Sequence, residues 1–185
     1  MSFRYATVVL VASLATITAV VVTAVGSDEA GAALTTVETC DGGAIDLTNN
    51  EKHTLDLHNQ ARVDEGLSPF CVHPALTEAA RAHSQEMLDK GYFSHRAVGD
   101  ETLEARLERF GYTFSGYSYW AYAENIGQGA GSLGTPTGIF EYWMTSNEHS
   151  VNIFNEDFQE VGVGVRDTGS EGGTAMYTVD FGVRY

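Results

Sequence analysis

The spacing of apolar residues divides the chain into four helical stretches and a two-stranded hairpin, with an edge strand before the last helix. Leu76, Ala79, Ala80, His83 and Met87 recur at i, i+3, i+4, i+7 and i+11, one face of a helix that Pro74 opens and Lys90-Gly91 ends. Before it, Thr48-Asn49-Asn50-Glu51 reads as a capping box for a helix through Leu55, Leu57, His58, Ala61 and Arg62 that stops at Gly66. A third helix is expected from Asp100 to Phe110, with Leu103, Leu107 and Phe110 on one side and Gly111 as its stop. Tyr112 to Tyr122 reads as an aromatic-rich loop leading to an edge strand, its tyrosines and Trp120 suiting either a packed wall or a ligand-facing rim, with packing favoured. Thr135-Pro136 caps a fourth helix that carries Ile139, Phe140 and Trp143 inward and leaves His149 just past its end. Val161, Val163 and Val165 then alternate with Gly162 and Gly164, which predicts a strand with one apolar face. The other face is bare, a candidate floor for a site. With Ala175–Phe181 this strand forms a hairpin, and helices before and between strands imply an α+β fold.

The first residues follow different rules. Arg4 precedes about twenty uncharged residues, Ala6 to Val25, so residues 1–26 read as a signal peptide or an N-terminal membrane anchor. Small residues at Ala24 and Gly26 favour cleavage, whereas the full apolar length also suits an anchor. Either way the rest is secreted or attached to the cell envelope, and any membrane contact comes only through this segment if it is uncleaved. Residues 27–47 lack periodicity and read as a linker, leaving 48–185 as one domain. Cys40 and Cys71 are the only cysteines, and an even pair in an exported chain predicts a disulfide. Formal net charge is -15, and -16 without residues 1–26, so no basic surface is available for nucleic acid.

The residues with chemical potential lie in short motifs. Trp143-Met144-Thr145-Ser146, His149, Asn152-Ile153 and Val161 to Val165 occur in a fixed order, and His58-Asn59, Arg62, Gly66 and Pro69 read as HNxxRxxxGxxP. Tyr92-Phe93-Ser94-His95 and Ala123-Glu124-Asn125-Ile126 complete the set. Together they resemble the CAP superfamily, the SCP-like extracellular domain of cysteine-rich secretory proteins, antigen 5 and pathogenesis-related proteins, in its bacterial branch. The resemblance implies a three-layer α-β-α sandwich over about residues 50–183. It further implies cavity roles for His95, Glu124 and His149 and structural roles for His58, Asn59, Arg62 and Asn125. The chain departs from the family's His-Glu-Glu-His tetrad: Ser146 stands where a second glutamate is expected, with Glu148 as a possible substitute.

Two imidazoles and a carboxylate suit zinc or a similar divalent cation if they converge, which their separations of 29 and 25 positions cannot establish. From pattern alone His95 reads equally as a functional or a packed residue, and His83, on the apolar stripe, reads as a satisfied core histidine. Gly127-Gln128-Gly129-Ala130-Gly131 lacks the spacing and context of a dinucleotide loop. The composite expectation is a binding module for a small hydrophobic ligand or envelope component: a lipid, sterol, peptide or glycan. Its alternatives are a structural or protein-interaction domain and, favoured least, a metal-assisted hydrolase. The catalytic residues, the ligand and the oligomeric state are not legible in the sequence.

Overall fold

A computed structural model of the protein describes residues 33–170 and 172–185. The expected signal or anchor lies outside the described residues. Among the described residues no helix is long and apolar enough to cross a membrane.

Two strands, β1 (Leu34–Glu38) and β2 (Ala44–Thr48), pair as an antiparallel hairpin. This corrects the expectation of a linker over residues 27–47 for the part that is described. The turn end of the hairpin is fastened to the domain twice. Cys40 N–H donates to the Val72 carbonyl at 2.9 Å, and Cys40 is bridged to Cys71 across a separation of 31 residues. The expected disulfide is therefore present.

Helix α1 (Asn49–Asp64) starts at Thr48 with the expected capping box: Thr48 Oγ1 accepts from Glu51 N–H, and Glu51 Oε2 accepts from Thr48 N–H. Glu51 also binds Arg81 of helix α2 (Pro74–Lys90) through two bonds of 3.0 and 2.6 Å. One buried carboxylate thereby caps a helix and ties two helices together. Between them, β3 (Cys71–Val72) runs parallel to β5 (Glu160–Asp167). Strand β6 (Thr174–Arg184) pairs antiparallel with β5 and with β4 (Trp120–Ala130), giving the order β3-β5-β6-β4. The remaining helices are α3 (Leu103–Arg109), α4 (Pro136–Thr145) and α5 (Asn147–Ile153). Helix α3 is shorter than expected because Asp100 adopts a left-handed backbone (φ 67°) and Thr102 becomes the cap.

Helices cover both faces of the sheet. On one, Leu55, Trp143 and Ile153 of α1, α4 and α5 pack with Val161, Val163, Val165, Val179 and Phe181. On the other lies α2, with α3 beside it. The layering matches the expected α+β sandwich. It also corrects one reading, because the bare face of β5 is not the floor of a site. Helix α2 occupies it. A Cβ built on Gly162 would overlap the backbone of Leu76 and Thr77, and one on Gly164 the backbone of Ala80 and Arg81. Ser84 adds a polar stitch, donating to the Gly164 carbonyl at 2.9 Å.

Two predictions test this account. Gly162→Ala should lower unfolding free energy in urea by about 3 kcal/mol, since the obstructing atoms are backbone and cannot rotate away. A loss under about 0.5 kcal/mol would mean that α2 shifts freely on the sheet. Reduction of Cys40–Cys71 should expose two alkylatable thiols and lower stability by up to about 4 kcal/mol, the chain-entropy value for a loop of this length.

Candidate functional site at the β4 edge

Strand β4 is an edge strand, and successive side chains along it point to opposite faces. Its two central residues use this alternation to reach both helical layers. Glu124 turns to the α2 side, where its Oε1 meets His95 Nδ1 at 2.8 Å and its Oε2 pairs with the Arg106 guanidinium from α3. Asn125 turns to the α5 side, donating through Nδ2 to the His149 carbonyl at 3.0 Å and accepting from Asn152 Nδ2 at 2.9 Å. One dipeptide thus holds the elements that carry both site histidines.

His95 lies just beyond the end of α2, which Gly91 closes in a left-handed conformation. Its side chain is 58% exposed, while that of Glu124 is 1% exposed. Because Nδ1 faces a carboxylate, it carries the proton, and Nε2 presents its lone pair outward whenever the ring is neutral. The bond to Glu124 raises the pKa of His95 against a smaller opposing effect of burial. His149 behaves oppositely: burial lowers its pKa, and so does charge on His95. Its Nδ1 is buried without a partner.

The structure brings His95 and Glu124 into contact and His149 within electrostatic reach of His95. Among the described residues, no three His, Cys, Asp or Glu side chains are already placed to hold an ion. His149 is not in a loop past α4 but within α5, because Ser146 ends one helix and begins the next. Ser146 serves as that junction, and Glu148 is exposed beside His149, where its charge slightly favours the protonated ring.

Around Glu124 lies a buried polar group that the sequence reading did not assemble. Arg106, 1% exposed, supplies the cation. Asp180, directly opposite Glu124 on β6, is fully buried and accepts no hydrogen bond on either oxygen, while its protonated carboxyl faces Glu124 as a donor. Burial and the Glu124 charge push its carboxyl well above the usual range, against the pull of Arg106, so Asp180 is held in its neutral form. His83 is a core histidine as expected, with Nε2–H donating to the Ser94 carbonyl at 2.9 Å. That same nitrogen stands 3.9 Å from Glu124 Oε2, and Nδ1 has no partner. A cleft of about 580 Å³ reaches His83 and Arg106 between α2 and α3.

The HNxxR residues form the frame behind α5. His58 Nδ1–H donates to the Thr54 carbonyl at 2.7 Å, and burial drives its pKa down to about 4, so the ring is a neutral partner for Phe140 and Trp143. Asn59 forms a two-way amide pair with the Phe70 backbone. Arg62 donates to the carbonyls of Ser68, Ile153, Asn155 and Phe158.

Residues 55–181 match the family model described as the cysteine-rich secretory protein family, CAP, and the chain belongs to that family. The protein YkwD of Bacillus subtilis is 36% identical over 120 residues, which cover 65% of this chain and 44% of the relative. An extracellular SCP-domain protein of Bacillus anthracis superposes with a TM-score of 0.59 at 30% identity, over 71% of this chain and 39% of that one. An outer surface protein of Borrelia burgdorferi shares the fold alone, at a TM-score of 0.62 and 15% identity, over 83% and 100% of the two chains. The chain therefore spans less than half the length of YkwD and of the Bacillus anthracis protein.

The electrostatics predict distinct titrations. By NMR, His95 should titrate above 6.5, and His83 and His149 below it. Since the folded pKa of His95 is raised, its pair with Glu124 adds stability that is complete below pH ~6.5 and is lost as pH rises through the folded value. Glu124→Gln should bring the His95 titration down, whereas an unmoved titration would show that the bond to Glu124 is not its cause.

Proposed function

We propose that this protein is an exported CAP domain whose β4 margin binds a ligand at the cell envelope, with His95 and His149 able to share a divalent cation such as zinc. The observation that carries the reading is the His95–Glu124–Arg106 chain. A buried carboxylate that accepts one imidazole N–H and leaves the other nitrogen facing solvent is the arrangement that orients a histidine for metal or for a polar ligand. The unpartnered Nδ1 of His149 fits the same purpose. When bound, the ion would supply a Lewis-acidic anchor for an oxygen or nitrogen of the ligand. Glu124 then acts on His95 and is not itself a ligand, because both its oxygens are engaged. The same engagement makes it a poor general base, which favours binding over hydrolysis. Export is supported by the apolar N-terminal segment, the disulfide and the extracellular relative.

Zinc should raise the melting temperature of the wild type, with a stabilisation of about 2.7 kcal/mol at a hundredfold excess over Kd. The shift should fade below pH ~6, as protons compete for the imidazoles. His95→Ala and His149→Ala should each remove it, while His83→Ala should lower stability and leave it in place. A wild-type melt that zinc does not move sinks the metal reading.

A further inference from the structure

Among the described residues, the main-chain hydrogen bonds of β4 leave its outer edge unpaired. Tyr119 and Tyr185 exchange both backbone bonds, each at 3.0 Å, which fixes the parity of the antiparallel ladder. In the one-to-one register with β6, Ala121, Ala123, Asn125 and Gly127 therefore point their N–H and C=O groups inward. Trp120, Tyr122, Glu124 and Ile126 point theirs outward. Among the described residues, only one outward group has a partner: the Ile126 carbonyl accepts from Trp143 Nε1 at 2.9 Å. That indole closes the far end of the edge. Toward its start the edge is open, with Trp120 41% exposed and residues 121–123 half-buried. Folded proteins blunt such edges with lysine, proline or a bulge. The stretch Trp120–Ala130 has no lysine or proline, and its register with β6 runs unbroken for 11 residues.

We propose that the outer edge of β4 receives an extended peptide as a fifth strand, running from Trp120 toward the His95–His149 end. Alternating donors and acceptors along an extended backbone are complementary to another extended backbone, and aromatic side chains beside them supply pockets for alternate residues. Trp120 and Tyr122, stacked with ring centroids 5.8 Å apart, lie on the α2 face of this edge. Glu148 is exposed on α5, on the opposite face, so the matching strand sets apolar side chains on the α2 face and basic ones on the other. This deepens the reading of the β4 margin as a binding site, but it needs neither histidine nor metal.

The test uses an acetylated hexapeptide alternating valine and lysine, titrated without zinc into the ¹⁵N-labelled protein. The backbone amides of Trp120, Tyr122 and Glu124 should shift together. Of two N-methylated versions, the one blocking the N–H groups that face β4 should bind at least about tenfold more weakly, and the one blocking the opposite register should bind as the parent does. Tyr122→Pro, which removes an outward N–H and no inward one but also the ring stacked on Trp120, should weaken binding and lower the melting temperature. The N-methyl pair decides the matter even if that variant fails to fold. No amide shift up to about 5 mM peptide, equal binding by both N-methyl registers, or self-association that shifts these amides without peptide overturns the proposal. The last outcome would assign the edge to a second copy of the chain. A protein that binds the peptide but not zinc loses only the metal reading, and the converse removes only this one.

Discussion

Because Gly162 and Gly164 place no side chain on the α2 face of β5, the helix comes down until its own backbone touches the strand. Its depth then determines the position of everything attached to it. His83 is carried against Glu124, the turn at Gly91 delivers His95 to the edge of β4, and α3 packs beside α2 with Arg106 pointing inward. A single methyl group at Gly162 would act on the whole layer, since backbone atoms have no alternative rotamer.

The site that results is an electrostatic compromise as much as a geometric one. Two carboxyls, Glu124 and Asp180, face each other across a buried strand pair, with one guanidinium bonded to Glu124. One cation compensates one anion, and the second carboxyl keeps its proton. Such a group contributes little net stability relative to an apolar core, but removing Arg106 alone would leave an uncompensated buried charge. The same group holds His95 in one tautomer through its bond to Glu124.

What was legible in the sequence was local. The capping box at Thr48 and the α2 stripe depend on neighbours three and four residues away, so they could be read directly. The glycine alternation could also be read, but its partner could not, since α2 lies some eighty positions earlier in the chain and presents backbone to the strand. Residues 34–48 escaped because β1 is largely exposed, which removes the apolar alternation that marks a strand. Arg106 escaped for a different reason: it stands at i+3 on the Leu103–Leu107–Phe110 face, where a charge reads as the polar margin of a stripe, and only its partner Glu124 in another layer explains its burial. Asp180 did leave a signal, as a lone acid in the otherwise uncharged run from Thr174 to Val183. His149 was placed one element away from its true position because α5 is only seven residues long.

Helix α5 is clamped at both ends. Asn125 holds the His149 carbonyl near its start, and Arg62 grips the Ile153 and Asn155 carbonyls at its finish. A short helix held this way has little freedom to swing. The β4 margin beside it is therefore rigid, so that the binding proposed there would resemble insertion into a fixed jaw, with little ordering entropy lost. Differences in affinity between related ligands should then appear mainly in how slowly they leave.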